Sequence, residues 1–202
     1  ALEVTIAAFE KSAQQSGDDA KVSYHAVDAL SRLFVLLMRL ADREAGAAQL
    51  LWRILSAVTS TLGTRYEAVQ QMRTVDFDQR PYFRVLSNLM LDLAEPTAGT
   101  ETKPKDLAML GTYSQVFLSL TPKKVPGFAF SWVQLICHRR FMPHLLQAAE
   151  QKGWPTMHRL LVSLLGFLQP FLRDALMTDA IRKLYESTVR IVLVILHDFP
   201  EF

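Results

Sequence analysis

A single cysteine, Cys137, occurs in the chain, so no intrachain disulfide can form, which fits a reducing compartment, cytosol or nucleus. Glycine is scarce: eight residues, never clustered, which leaves no Gly-rich loop to cradle a phosphate. No apolar run approaches the ~20 residues of a membrane span, and the longest candidate, Ile191–Leu196, ends against His197. The opening Ala1-Leu2-Glu3-Val4 has no basic region followed by an apolar core, so no secretory signal is visible. A one-signed charge is also missing, since 22 basic and 20 acidic residues leave a net charge of +2. Proteins that bind nucleic acid draw much of their affinity from phosphate contacts and carry a basic excess. The near balance therefore argues against RNA or DNA as the main ligand.

Spacings that carry chemistry are absent as well. The five histidines are His25, His138, His144, His158 and His197, and no pair has the i, i+4 spacing with a glutamate that suggests zinc. Cys137 and His138 are adjacent, about 100° apart on a helix, and cannot form a nucleophile–base pair by themselves. Cys137 reads as a small buried hydrophobe. The carboxylates Asp18, Asp19, Asp76 and Asp78 fall at expected helix starts, where capping explains them. His197-Asp198 reads as a hydrogen-bonded pair at a helix end. No constellation supports an enzyme, and no cofactor or metal site is expected.

What is present is helical periodicity. Half of the residues are hydrophobic and 21% are charged, which excludes global disorder and hints at apolar surface buried against a partner. Apolar residues recur at steps of three and four over residues 3–15, 20–44, 47–62, 78–94, 105–120, 156–173 and 179–196. Residues 64–74 continue helically after Gly63, and 143–151 restart at Pro143. The expected stripe of 20–44 is Val27, Leu30, Leu33, Phe34, Leu37 and Leu40; that of 179–196 is Leu184, Val189, Val192, Leu193 and Leu196. Pro170 predicts a kink and Asp179 a cap. Residues 95–104, with two prolines and no large apolar residue, read as a flexible loop. The expectation is an all-α chain of antiparallel helix pairs stacked as an irregular HEAT-like solenoid, with a compact bundle as the alternative. Residues 1–202 are read as one α-helical domain.

The densest aromatic stretch runs from Val125 to Met142. After the Pro126-Gly127 turn, Phe128, Trp132, Leu135, Ile136 and Met142 fall near one helical stripe, and the basic pair Arg139-Arg140 follows. The stripe reads as core. Arg139, Arg140 and Phe141 are the part expected to touch a partner. Trp154, in a Gly-Trp-Pro turn, either plugs a helix junction or anchors an interface.

Several stretches, in order, resemble a known family: Phe77-Asp78-Gln79-Arg80-Pro81-Tyr82-Phe83-Arg84; Pro126-Gly127-Phe128 with Trp132 and His138-Arg139; Gln151-Lys152-Gly153-Trp154-Pro155; and the run from Leu193 to Phe202. From Phe77 to Phe202 the chain resembles the C-terminal Not superfamily homology domain of the large Not scaffold subunit of the Ccr–Not mRNA deadenylase complex, in its fungal form. Animal relatives carry Glu and Ser where this chain has Gln134 and Cys137. The resemblance implies a HEAT-like scaffold without catalytic activity, and that residues 1–202 are the N-terminal part of the domain. It implies docking of the Not-box subunits, and of short linear motifs from RNA-bound repressors, in support of mRNA deadenylation, decay and translational repression. The implied compartments are cytoplasm, with its mRNA decay granules, and nucleus. An RNA-binding helical repeat is the alternative function.

Overall fold

In a computed structural model, residues 1–16, 22–41, 44–72, 77–93 and 104–202 are described, and no strand occurs among them. The α-helices are α1 (Leu2–Ser16), α2 (His25–Leu40), α3 (Glu44–Met72), α4 (Arg80–Leu93), α5 (Pro104–Ser119), α6 (Ala129–Ile136), α7 (Met142–Leu146), α8 (Trp154–Arg173) and α9 (Asp179–Asp198). Short 3₁₀ turns at Pro126–Phe128 and Ala149–Gln151 precede α6 and α8. The all-α expectation holds. Contacts divide the chain into two compact units, Ala1–Val116 and Phe117–Phe202. The expected loop 95–104 and the caps at Asp18, Asp19 and Asp76 lie outside the described residues, except that Pro104 opens α5.

In the first unit α2 packs mainly on α4. Val27, Leu30, Val35 and Met38 of α2 and Val85, Leu86, Leu89 and Met90 of α4 are all buried where the two helices pack. Burying a side chain of this size contributes ~1.5–3 kcal/mol before entropy is charged against it. Charged clamps set the register of the helices. Arg84 of α4 donates to Asp28 of α2 through Nε (2.8 Å) and Nη2 (3.1 Å), and Asn88 Nδ2 donates to the same carboxylate at 2.7 Å. These bonds, Arg84's above all, hold the Asp28 carboxyl below its ordinary range. Arg65 of α3 likewise grips Glu10 of α1 with Nε and Nη2. Asp78 Oδ1 accepts the Arg80 N–H at 3.0 Å and opens α4, with Pro81 in its first turn.

Two expected faces are rotated. On α2, Leu33, Leu37 and Leu40 are exposed, Leu33 to 49% and Leu40 to 75%, and the buried row runs instead through Ser31, Val35 and Met38. On α9, Val189, Val192, Leu193 and Leu196 are exposed, and Leu184, Thr188, Ile191 and Ile195 are buried. Ser31 and Thr188 tolerate burial because each hydroxyl donates to the carbonyl one turn back, Val27 O at 2.9 Å and Leu184 O at 2.8 Å. A hydroxyl with an internal acceptor behaves as a small core residue, so the polar letter misleads a count of apolar positions.

Other boundaries shift for local reasons. Gly63 does not end a helix; α3 runs through it to Met72, and nothing lies within 4 Å of where its Cβ would be. One interior glycine costs only ~1 kcal/mol relative to alanine, too little to break a long packed helix. The stretch 125–142 is not one helix. The chain turns after Ile136, where Cys137 adopts φ −92° and ψ 3°, and restarts at Met142. Trp154 and Pro155 begin α8 rather than breaking the chain, and α8 continues through Pro170 to Arg173. The cap of α9 is Thr178, whose Oγ1 accepts the Ile181 N–H at 3.3 Å; Asp179 is the first helical residue.

Candidate functional site

The second unit is built around the aromatic stretch. Phe128, Trp132, Leu135, Ile136 and Met142 are all buried, as expected of a core stripe. Trp132 donates its indole N–H to Phe117 O at 2.8 Å, which satisfies the polar end of the most voluminous buried side chain. Phe141 is 0% exposed and meets Phe117 edge-on, with ring centroids 4.9 Å apart. The expectation that Phe141 touches a partner is therefore corrected. The turn after α6 folds its side chain inward, where burying a large ring outweighs any contact it could make from the surface. Arg139 is exposed and Arg140 half-buried. His138 Nδ1 accepts the Arg140 backbone N–H at 3.3 Å, and burial, helped by both arginines, holds the imidazole below its ordinary value.

Cys137 caps the end of α6, and burial pushes its thiol up to about 12. A thiol nucleophile needs its thiolate, and this environment withholds it. Among the described residues no group of three His, Cys, Asp or Glu side chains is placed to hold a metal ion.

Trp154 occupies a junction. Its indole N–H donates to Leu146 O of α7 at 3.0 Å, and its ring meets Phe202 edge-on at 5.6 Å. The residue is half-buried, and its indole bond staples α7 to α8. Gly153 permits this approach: a Cβ there would lie 1.8 Å from Leu145 O. Trp154 lines a cleft of about 430 Å³ with residues 146–148, Glu150, Gln151 and the segment Asp198–Phe202. Two separated stretches singled out in the sequence, 151–155 and 193–202, thus meet in space. Glu150 and Gln151 stand in the left-handed region at φ 57° and 58°, a conformation that costs ~1–2 kcal/mol per residue without glycine. Sequence reasoning read His197-Asp198 as a helix-end pair and the run to Phe202 as part of a family stretch, and overlooked Glu150, Asp198 and Glu201 as cleft residues. Glu150 lies close to Trp154 in sequence, but Asp198 and Glu201 lie far from it, and only folding brings them to the same cleft. The expected His197-Asp198 pair is present, Nδ1 to Oδ1 at 2.7 Å.

The first unit carries its own cleft, of about 370 Å³, between α1, α3 and the start of α4. Two guanidinium–carboxylate pairs line it, Arg65 with Glu10 and Arg80 with Asp78, so its charges cancel. The remaining feature of interest is apolar. On α9, Tyr185, Val189, Val192, Leu193 and Leu196 form an exposed row along the helix beside its buried face, with Leu193 at 57% and Leu196 at 67% exposure. Leu165 and Leu172 of α8 are also exposed. Together the buried and exposed rows make α9 apolar over more than half of its circumference.

Comparison with known proteins places this architecture. Residues 90–202 match the family model described as the Not1 component of the CCR4-Not complex. The chain belongs to the Not1 family. That match takes in three of the four stretches that carried the resemblance; Phe77–Arg84 lies before it. The worm CCR4-NOT transcription complex subunit let-711 (Caenorhabditis elegans) is 34% identical over 187 residues, which cover 88% of this chain and 7% of the worm protein. General negative regulator of transcription subunit 1 from Saccharomyces cerevisiae is 26% identical across 100% of this chain and 10% of its own length. Among solved structures, the NOT1 superfamily homology domain from Chaetomium thermophilum superposes with a TM-score of 0.86 at 22% identity, covering 98% of this chain and 38% of that one. A Not1 C-terminal domain solved in complex with Not4 superposes with a TM-score of 0.74 at 26% identity, over 98% of this chain and 39% of that one. The chain thus spans a tenth or less of these full-length relatives and under two-fifths of these Not1 domains.

Proposed function

We propose that this chain is a non-catalytic docking platform in a Ccr4–Not-type complex, and that it supports mRNA deadenylation, decay and translational repression by holding other subunits in place. The observation that carries this reading is the uncovered apolar row on α9, Tyr185, Val189, Val192, Leu193 and Leu196, in a chain of the Not1 family. The occupant we assign to that row is an amphipathic segment of a Not4-type subunit, because a Not1 domain that shares this fold was solved with Not4. Such a segment would bury its apolar anchors along the row, as helix-in-groove partners do. Not-box subunits and linear motifs of RNA-bound repressors are further occupants of the platform. Tethering by these contacts raises the local concentration of the complex at selected mRNAs.

The test is co-purification of the 202-residue chain with co-expressed Not4-type and Not-box subunits, beside the double variant Leu193→Asp/Leu196→Asp. The wild-type chain is expected to retain the Not4-type subunit, and the variant to lose it. A variant that retains the partner at wild-type yield removes α9 as the docking row. A wild-type chain that captures none of these subunits removes the platform reading.

A further inference from the structure

The near-zero net charge of the chain conceals an uneven split. Phe117–Phe202 holds ten Lys and Arg against six Asp and Glu, a net of +4. Part of that excess lies on α8, which has no acidic residue in its 20 positions. Met157, Leu160, Leu164 and Leu168 form its buried face. At about 100° per residue, Arg159, Val162, Leu165 and Gly166 fall outside that face. Arg159 is exposed, Val162 is exposed to 53% and Leu165 to 50%.

Lys123 completes this surface from the turn between α5 and α6. Gly166 makes room for it: a Cβ there would lie 2.9 Å from Lys123 Nζ and 3.2 Å from its Cε. The ammonium thus lies against α8 about two helical turns beyond Arg159, roughly 10 Å along the axis. Val162 and Leu165 lie between the two cations. Among the described residues neither Lys123 nor Arg159 is paired with a carboxylate. The outer face of α8 is therefore an aliphatic patch with an unpaired positive charge at each end. A peptide matches it better than nucleic acid does. A phosphate backbone asks for a run of cations and its bases for aromatic faces, whereas the exposed carbon between these cations is aliphatic.

We infer that the outer face of α8 docks an acidic amphipathic helix of a partner protein, with Val162 and Leu165 taking its aliphatic side chains and Arg159 and Lys123 its carboxylates. The spacing sets the pattern recognised. Two carboxylates seven residues apart on the incoming helix, with aliphatic residues at the third and fourth positions between them, share one face. Burial of the aliphatic side chains supplies affinity, and the end charges fix orientation and reject basic segments. The inference rests on the docking-platform reading and gives it a second surface, on α8 instead of α9, with a partner chemistry of its own.

The probe is a fluorescein-labelled, Ala- and Gln-rich synthetic helix of about 18 residues, with two Glu seven positions apart and Leu at the third and fourth positions between them. Its binding to the 202-residue chain is read by fluorescence anisotropy. We expect saturable binding, about tenfold weaker when both Glu are replaced by Gln, the scale of two surface ion pairs. The charge-reversed chain Lys123→Glu/Arg159→Glu is expected to lose the Glu peptide and to take a Lys version instead, which also shows that it folds. Equal affinity for the Gln peptide would overturn the inference, as would undiminished binding of the Glu peptide by the reversed chain. So would the absence of saturable binding below about 1 mM, or displacement of the peptide by oligo(U), which would give the face to nucleic acid. The Gln arm needs no substitution in the protein, so it decides even if the reversed chain unfolds. Leu193→Asp/Leu196→Asp is expected to bind the peptide as the wild type does, and loss of binding there would move the contact to α9 and overturn the inference. Subunit capture does not enter this readout, so a failed α8 face and a failed platform give different results.

Discussion

At the scale of single residues, backbone geometry makes the sharpest demands. Gly153 lies so close to α7 that a Cβ would sit 1.8 Å from Leu145 O, inside any contact distance. Gly153→Ala must push α7 from α8, and we expect it to lower the unfolding free energy by about 2–3 kcal/mol, read by chemical denaturation. Ala175 presents the opposite case. It follows α8 at φ 53°, where Leu176 N–H returns to Phe171 O at 2.9 Å in a left-handed helix stop that ordinarily selects glycine. Ala175→Gly is expected to raise stability by about 1 kcal/mol in the same assay. Cys137 shows a residue whose environment decides its chemistry. With its thiol pushed up to about 12 by burial, thiol-exchange labelling of the native chain at pH 8 should run at least about a hundredfold slower than in denaturant. Matching rates would show that the thiol is open and ionisable.

At the scale of helices, the first unit is clamped by ion pairs that span two elements each. The clearest is Asp28 of α2 with Arg84 and Asn88 of α4. Arg84, bonded side-on, holds the Asp28 carboxyl below its ordinary range. The stability from this pair is therefore complete above the unfolded carboxylate value of ~3.9 and is lost as pH falls through the lower folded value. Asp28→Asn is expected to cost about 0.5–1 kcal/mol at pH 7, discounted because both side chains are partly exposed, and close to nothing near pH 2. Denaturant midpoints of the two proteins at pH 7, 4 and 2 check this; a gap that persists at pH 2 would assign the cost to packing instead. Helix scale is also where sequence reading went astray. On α2 and α9 apolar letters surround most of the helix, so periodicity identifies a helix but cannot say which face turns inward. Ser31 and Thr188 hid the true rows, because their polar letters conceal hydroxyls bonded within the helix.

At the scale of the whole molecule, the apolar residues left outside, on α9 above all, separate stability from function. Leu193 and Leu196 contribute little to the fold because they remain in water, so Leu193→Asp/Leu196→Asp should shift the unfolding free energy by about 0.5 kcal/mol or less while partner capture fails. A large loss of stability in that variant would place those side chains in the core and withdraw α9 as a docking row. The near-zero net charge is compatible with the proposed docking role, since a platform that works through apolar and local contacts needs no long-range field of one sign.

The amino-acid sequence by itself determined the helical class, the location of nearly every helix among the described residues, and the stretches by which the family is recognised. These are local or periodic properties, carried by neighbours three and four residues apart. Tertiary structure alone decided which faces of α2 and α9 are buried, that Phe141 is core while Arg139 stays outside, and that Trp154 meets Phe202 across a cleft rimmed by carboxylates. The physical reason is distance along the chain. Trp154 opens α8 while Phe202 follows the end of α9, and only the packing of these elements brings their rings within 5.6 Å.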